Sequence, residues 1–278
     1  MNRLIFIFLL ILFSSCASEI NKKSVVKEKS LELQVKEAYL EGLKELEKGD
    51  ALFAARKFNE VEILFPQSDL APKSSLMAAY SYYSQDYYEE CIFELLRFLD
   101  IYPKDKNLDY AYYLLGIAHY EQIVDEKKDT FTILKAKEYF EYLNLNYPNT
   151  EYSIDASFKI ELINDILASK ELYIGRYYLD KKKWIPAINR FKKVIDDYDT
   201  TIYVEEALFR LVEVHYLLGL EEEAKKYAKL LGYNYQSSKW YENSYILFDK
   251  KYKKKELRKT NKKNSIVNKV KTFLNIDE

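Results

Sequence analysis

One stretch constrains this chain more than any other: Tyr173–Asp199, YIGRYYLDKKKWIPAINRFKKVIDDYD, whose pattern recurs with variations along most of its length. Its landmarks are Gly175, Tyr178 three residues on, Ala187, and Phe191 one turn after that alanine. Two antiparallel helices joined by a short turn approach closely only where side chains are minimal, and an aromatic one turn away fills the space beside the contact. Trp184, Ile188, Phe191, Ile195 and Tyr198 follow at spacings of three or four, which places them on one stripe of the second helix.

Indexed by the small residue of the second helix, the pattern occurs five times, at Ala54, Cys91, Ala136, Ala187 and Ala224. Four residues after each anchor stand Phe58, Leu95, Phe140, Phe191 and Ala228; twelve before stand Gly42, Ala79, Gly175 and Val212. The third unit fits with Gly116 twenty residues before its anchor, so Val124–Thr132, charged and poor in helix formers, reads as an insertion between its helices. Twelve residues after the anchor, Pro66, Pro103 and Pro148 end the second helix, with Asp199 and Gln236 in that place in the last two units. This is the tetratricopeptide register, with anchor spacings of 37, 45, 51 and 37 against a nominal period of about 34.

The pattern predicts an all-α protein, an α-solenoid of five tetratricopeptide-like helix hairpins plus a C-terminal capping helix. Six glycines and five prolines suit long helices with short turns, and 48% apolar with 31% charged residues excludes a disordered or polytopic chain. Glu151–Lys182 lacks proline and reads as one long helix shared by the first three and last two hairpins. Glu221–Leu231 is expected to end at Gly232 in a left-handed cap, and Ser238–Tyr252 to cover the open end of the stack.

The flanks read differently. Leu4–Phe13 is an unbroken apolar run after Arg3, too short to span a bilayer. It leads through Ser14-Ser15 into Cys16, which resembles the bacterial lipoprotein signal; that resemblance implies cleavage before Cys16, lipid on its sulfur and amine, and, with Ala17 following, delivery to the outer membrane. An ordinary secretory signal with a chance cysteine is the other reading. The segments are therefore 1–15 signal peptide, 16–32 tether, 33–150 repeats one to three, 151–252 repeats four and five with the cap, and 253–278 a basic, unfolded tail. Between Lys250 and Lys271 eleven Lys/Arg face one acid, Glu256, a balance of +10; with a formal net charge of −1, the rest of the chain carries −11. Within the tail Ile266, Val270, Phe273 and Leu274 are spaced to form a short amphipathic helix against a partner or lipid.

No catalytic constellation is present. His119 and His215 occupy the aromatic place of their units, Cys91 replaces an anchor alanine, and glycines are too scattered for a phosphate loop. No metal, cofactor or nucleic acid is expected, and the acid pairs read as solvated helix faces. What remains is a binding surface. The first-helix positions facing away from the partner helix hold Tyr39, Tyr80, Tyr83, Tyr113 and Tyr120, a side chain with a large apolar face and one hydrogen-bonding tip. They either line a concave groove or pack between neighbouring units.

The chain to about Tyr245 resembles the BamD family of outer-membrane β-barrel assembly lipoproteins. The likeness rests on Cys16 in its signal context and on the unequal repeat spacings. It rests also on Asn107-Leu108-Asp109-Tyr110, on Tyr147-Pro148-Asn149-Thr150-Glu151-Tyr152 with Asp155-Ala156, and on Tyr177-Tyr178 with Trp184 and Asn189-Arg190. It implies a non-enzymatic scaffold, lipid-anchored at the periplasmic face of the outer membrane. Its early repeats would receive unfolded outer-membrane proteins by an aromatic-ended C-terminal segment, and its late repeats would dock a BamA-type barrel protein beside other assembly-complex lipoproteins. By groove position, Tyr39, Tyr80, Tyr83, Tyr113 and Tyr120 are then the candidates for precursor contact. The competing reading is a periplasmic tetratricopeptide adaptor for envelope constriction or cell-wall synthesis, without lipid on Cys16.

Overall fold

The anchors take equivalent places in successive hairpins. The computed structural model describes residues 30–123, 130–236 and 238–248, and among these there are eleven helices and no strand. They pair as α1 (Leu31–Glu47) with α2 (Ala51–Leu64), α3 (Ala71–Tyr83) with α4 (Tyr88–Ile101), and α5 (Leu108–Glu121) with α6 (Phe131–Asn146). The long α7 (Glu151–Asp180) pairs with α8 (Trp184–Asp197), α9 (Val204–Leu217) with α10 (Glu221–Asn234), and α11 (Lys239–Phe248) closes the series. The signal, Cys16, the tether before Ser30 and the tail beyond Phe248 lie outside the described residues.

Ala54, Cys91, Ala187 and Ala224 are each the fourth residue of their helix, and each donates its N–H to the residue before the helix: Asp50, Tyr87, Lys183 and Leu220, at 2.9 to 3.1 Å. Ala136 comes sixth, because α6 starts two residues earlier in this register. Phe131 and Thr132, expected in the insertion, are therefore the first turn of α6. All five anchors are fully buried.

The glycine and aromatic of the register meet as the sterics require. A Cβ on Gly42, Gly116 or Gly175 would come within 3.0 Å of the ring of Phe58, Phe140 or Phe191 respectively, so only glycine admits a phenylalanine there. Where the small position grows to Ala79 or Val212, the opposing residue shrinks to Leu95 or Ala228. Gly116 takes this place despite the extra residues between α5 and α6.

Four hairpin turns share a feature. Five residues before the anchor, Gly49, Asp86, Lys182 and Gly219 are left-handed, with φ of 81°, 62°, 56° and 76°. The N–H of the next residue reaches back to Glu45, Tyr82, Tyr178 and His215 at 2.8 to 3.0 Å, and the left-handed residue's own N–H reaches Leu46, Tyr83, Leu179 and Tyr216. This paired closure of a helix end is a Schellman motif. The second helices end alike too: Phe65, Tyr102, Tyr147, Tyr198 and Tyr235 all leave the helix with ψ between 40° and 58°. Since the last two precede Asp199 and Gln236, the packed aromatic rather than the following proline sets this exit.

Gly232 behaves otherwise than expected. It lies inside α10, and a Cβ there would come within 3.0 Å of Tyr241; it is glycine because α11 crosses close to it, not because the chain turns.

Each helix packs on its neighbours in sequence, and contacts that skip one helix join α3 to α5, α5 to α7 and α9 to α11. One core is built by α1 to α3, a second by α3 to α5, and a third runs from Ile117 through Ile133, Phe140, Ile163, Leu172 and Phe191 to Leu211 and Leu231. Tyr82 and Tyr83 bridge adjacent cores. Asp155 and Ser157 near the start of α7 meet Tyr113 of α5 and Asn144 of α6, while Glu171 and Gly175 nearer its end meet Arg190 and Phe191 of α8, so the helix is shared. Trp240 of α11 covers Phe209 at 5.3 Å between rings, closing the far end.

Candidate binding surface

First helices carry the tyrosines, and their neighbours decide how far each is available. Tyr80 and Tyr83 lie 6.4 Å apart on the last turn of α3, and Tyr83 stands 6.1 Å from Tyr88 of α4. On α5, Tyr113 lies 5.1 Å from Tyr152 of α7, which lies 5.5 Å from Tyr110. The Tyr113 hydroxyl donates to Asp155 at 2.8 Å, and burial followed by this carboxylate pushes its ionisation up. Tyr120 lies under the ammonium of Lys159, 4.7 Å away. Tyr80 is 39% exposed, and Tyr83, Tyr113 and Tyr120 are partly covered.

Tyr39 is placed differently. At 9% exposure it is buried, edge-on to Phe58 at 5.4 Å with Lys73 over its other side. Its remaining edge lines an open groove of about 860 Å³ between α1 and the turn from α2 to α3, walled by Leu31, Val35, Leu40, Phe65 and Leu70. Tyr39 therefore belongs to the first core and the groove at once.

Sequence reasoning missed Tyr88, Tyr110 and Tyr152 as members of this surface. Tyr110 and Tyr152 are there as markers of family likeness, and their signal was position: each opens a helix whose next turn carries Tyr113 or Asp155. In the last two hairpins the corresponding positions serve the fold. Leu172 and Phe209 are buried, Arg176 pairs with Glu206 at 3.2 Å, and Arg210 joins Glu206 and Glu213.

Buried charge fixes how the hairpins sit. Arg97 of α4 donates to Glu62 of α2 at 2.7 Å and to Glu94 at 2.6 Å; Asn59 donates to Glu94, and Tyr102 to Glu62 at 3.0 Å. Farther along, Glu171 of α7 accepts from Arg190 at 2.8 Å and Lys193 at 3.0 Å. Burial favours its protonated form, but these two cations prevail and its pKa is lowered.

The remaining chemistry-bearing residues are packing groups. His119 stacks on Tyr139 at 5.6 Å and His215 packs at a tilt against Tyr227 at 5.3 Å, residues at equivalent positions in two hairpins. His215 Nδ1 donates to the Leu211 carbonyl at 2.7 Å, and burial, then Lys135, lowers the His119 pKa. Cys91 is buried, which pushes its thiol up to about 12. Among the described residues no group of three or more His, Cys, Asp or Glu is arranged to hold a metal ion.

Repeated hairpins of this geometry, capped by α11 and bearing tyrosines on the first helices, define a tetratricopeptide-type α-solenoid. The profile of the YfiO family, described as outer membrane lipoprotein, matches residues 31–230, and the chain belongs to that family. It is 44% identical to an outer membrane protein assembly factor BamD of Rickettsia prowazekii (strain Madrid E) over 75% of this chain and 83% of that protein. It is 40% identical to the BamD of Caulobacter vibrioides (strain ATCC 19089 / CIP 103742 / CB 15) over 85% and 76%. Against a BamD of Neisseria meningitidis (strain DSM 15465 / Z2491) the identity is 28% over 81% and 88%. The likeness carried by the third repeat, the long helix and Trp184 is thus a family relationship, and the chain is an outer membrane protein of the BamD kind.

Proposed function

We propose that this chain is a non-enzymatic scaffold of outer-membrane β-barrel assembly. Repeats one to three receive unfolded barrel precursors, and repeats four and five dock a BamA-type barrel subunit beside other lipoproteins of the complex. Acylated Cys16 and the tether that follows it, which ends where α1 begins at Leu31, hold it at the periplasmic face. The observation that carries the reading is the run of tyrosines from Tyr80 and Tyr83 to Tyr110, Tyr113 and Tyr152. Extended peptide offers backbone groups and alternate apolar side chains, and tyrosine meets both with one rigid ring and one hydroxyl. The name of the relatives, outer membrane protein assembly factor, favours this over a wall-synthesis adaptor.

The test is binding of synthetic peptides ending in the aromatic-terminated last strand of a barrel protein. Tyr80→Ala with Tyr83→Ala is expected to weaken binding at least tenfold, about 1.4 kcal/mol, with far-UV helicity unchanged. Unaltered affinity in a helical variant removes these residues from the site. Co-purification of a barrel protein with periplasmic repeats from envelopes, abolished by changes in α8 to α10 but not at Tyr80, tests the second surface.

A further inference from the structure

Two hairpins carry the same pair of rings, and only one of them lays its own cation across it. Phe209 and Tyr113 each stand three residues before the small position of a first helix, and Trp240 and Tyr152 are each the second residue of the helix that packs on it. The rings lie 5.3 Å apart at 31° in the Phe209–Trp240 pair and 5.1 Å apart at 35° in the Tyr113–Tyr152 pair. Arg210 covers the first pair, its guanidinium carbon 5.5 Å from both ring centres, and Glu206 accepts from it at 3.2 Å and Glu213 at 2.8 Å. After Tyr113 the residue in the place of Arg210 is Leu114, which is buried. The Tyr113–Tyr152 pair keeps a carboxylate beside it, Asp155, 2.8 Å from the Tyr113 hydroxyl.

The rings around that pair stand among acids. Burial, then Asp86 and Glu121, pushes the Tyr88 hydroxyl up to about 12, and burial followed by Glu121 raises Tyr83. Burial followed by Glu151 and Asp109 raises Tyr152. Among the described residues, the cation stacked on this surface is Lys159, 4.7 Å from Tyr120.

We propose that the tyrosine surface of the second and third hairpins selects polypeptide segments that carry Lys or Arg beside an aromatic residue. The precursor's cation takes, between Tyr113, Tyr152 and Asp155, the place that Arg210 takes between Phe209, Trp240 and Glu206. A cation over an aromatic face is held by the ring's quadrupole, and a carboxylate beside it adds a charge-assisted hydrogen bond. In an extended segment residues two apart point the same way, so a cation and an aromatic at that spacing face the tyrosines together. An acidic segment meets like charge and is rejected. This selectivity rests on the reading of the surface as the precursor site, and it adds the chemistry by which precursors are sorted there.

The experiment measures fluorescence anisotropy of labelled aromatic-ended peptides with the full mature chain. The peptides are identical except for Arg, Lys, Gln or Glu two residues before the last aromatic. Arg and Lys are expected to bind about tenfold tighter than Gln at low ionic strength, with Glu weakest and the differences shrinking as salt is added. Glu121→Gln with Asp155→Asn should bring the Arg-to-Gln ratio close to one; asparagine keeps an acceptor for Tyr113, and far-UV helicity checks the fold. Glu222→Gln with Glu223→Gln removes the same charge from α10 and should leave the ratio as in the wild type. A wild-type ratio near one overturns the selectivity and leaves the precursor reading standing, whereas absence of binding by all four peptides overturns both. An unchanged ratio in the Glu121 and Asp155 variant overturns the selectivity too. So does an equal fall in both double variants, because the negative charge of the whole chain would then be drawing the cation.

Discussion

A glycine and a phenylalanine on facing helices make one object out of two positions. Phe191 is fully buried, and Phe191→Ala should cost about 3–5 kcal/mol. Gly175→Ala pushes a methyl group into that ring and should cost about 1–3 kcal/mol by overpacking. Together they should cost less than their sum by about 0.5–3 kcal/mol, because the methyl enters the space the ring vacates; urea midpoints of the four proteins measure it, and strict additivity would mean the two do not share a space. This pair was legible, since Gly175 and Phe191 stand sixteen residues apart as Gly42 and Phe58 do. The left-handed turn residue was not legible. Gly49 and Gly219 advertise it, but Asp86 and Lys182 occupy the same place for want of any other geometry that closes the turn. Relief of that backbone cost predicts that Lys182→Gly raises stability by about 1 kcal/mol, read as a higher urea midpoint; a lower one would show that the lysine gains more than its backbone loses.

The long helix α7 works as a joint because two kinds of contact meet on it. Its buried residues Ala156, Ile163, Leu167 and Leu172 continue one apolar core past the boundary expected near residue 150, and Glu171 locks it to α8 through Arg190 and Lys193. A carboxylate with a lowered folded pKa adds stability above its unfolded value of about 4.3, and that stability is lost as pH falls through the folded value. The wild-type protein should therefore lose stability on acidification more steeply than Glu171→Gln, the two curves converging at low pH. Denaturant midpoints across that range check it, and parallel curves would mean the ion pairs stabilise nothing. The run of apolar residues along Glu151–Lys182 announced the helix. Its shared packing depended on α5 and α6 arriving beside it, which no local pattern encodes.

A stack in which each helix rests on its neighbours gains stability unit by unit and needs its ends covered. Removing residues 239–278 uncovers Phe209, which Trp240 covers, and the space between Gly232 and Tyr241. Amide exchange should then quicken in α9 and α10 while α1 to α4 keep their protection, because the first two cores share no residue with α11. Uniform loss of protection would mean that the eleven helices fold as a single cooperative unit. The tyrosine surface divides along the same line. It is open on the second and third hairpins, whereas in the last two buried Leu172 and Phe209, Arg176 paired to Glu206 and Glu213 paired to Arg210 take those positions.

The sequence by itself determined the number of hairpins, their anchors at Ala54, Cys91, Ala136, Ala187 and Ala224, and the long helix, because each follows from side-chain size at a fixed helical offset. Tertiary structure alone decided which tyrosines remain available: fifteen residues before the anchor, Phe58 and Lys73 close over Tyr39, and Leu76, Leu172 and Phe209 are buried there too, whereas eleven before the anchor Tyr80 stays 39% exposed. It decided as well that Gly232 serves a helix crossing rather than a helix end. Burial and close approach are properties of what lies opposite a residue, and a periodic pattern fixes the side a residue faces without fixing what meets it there.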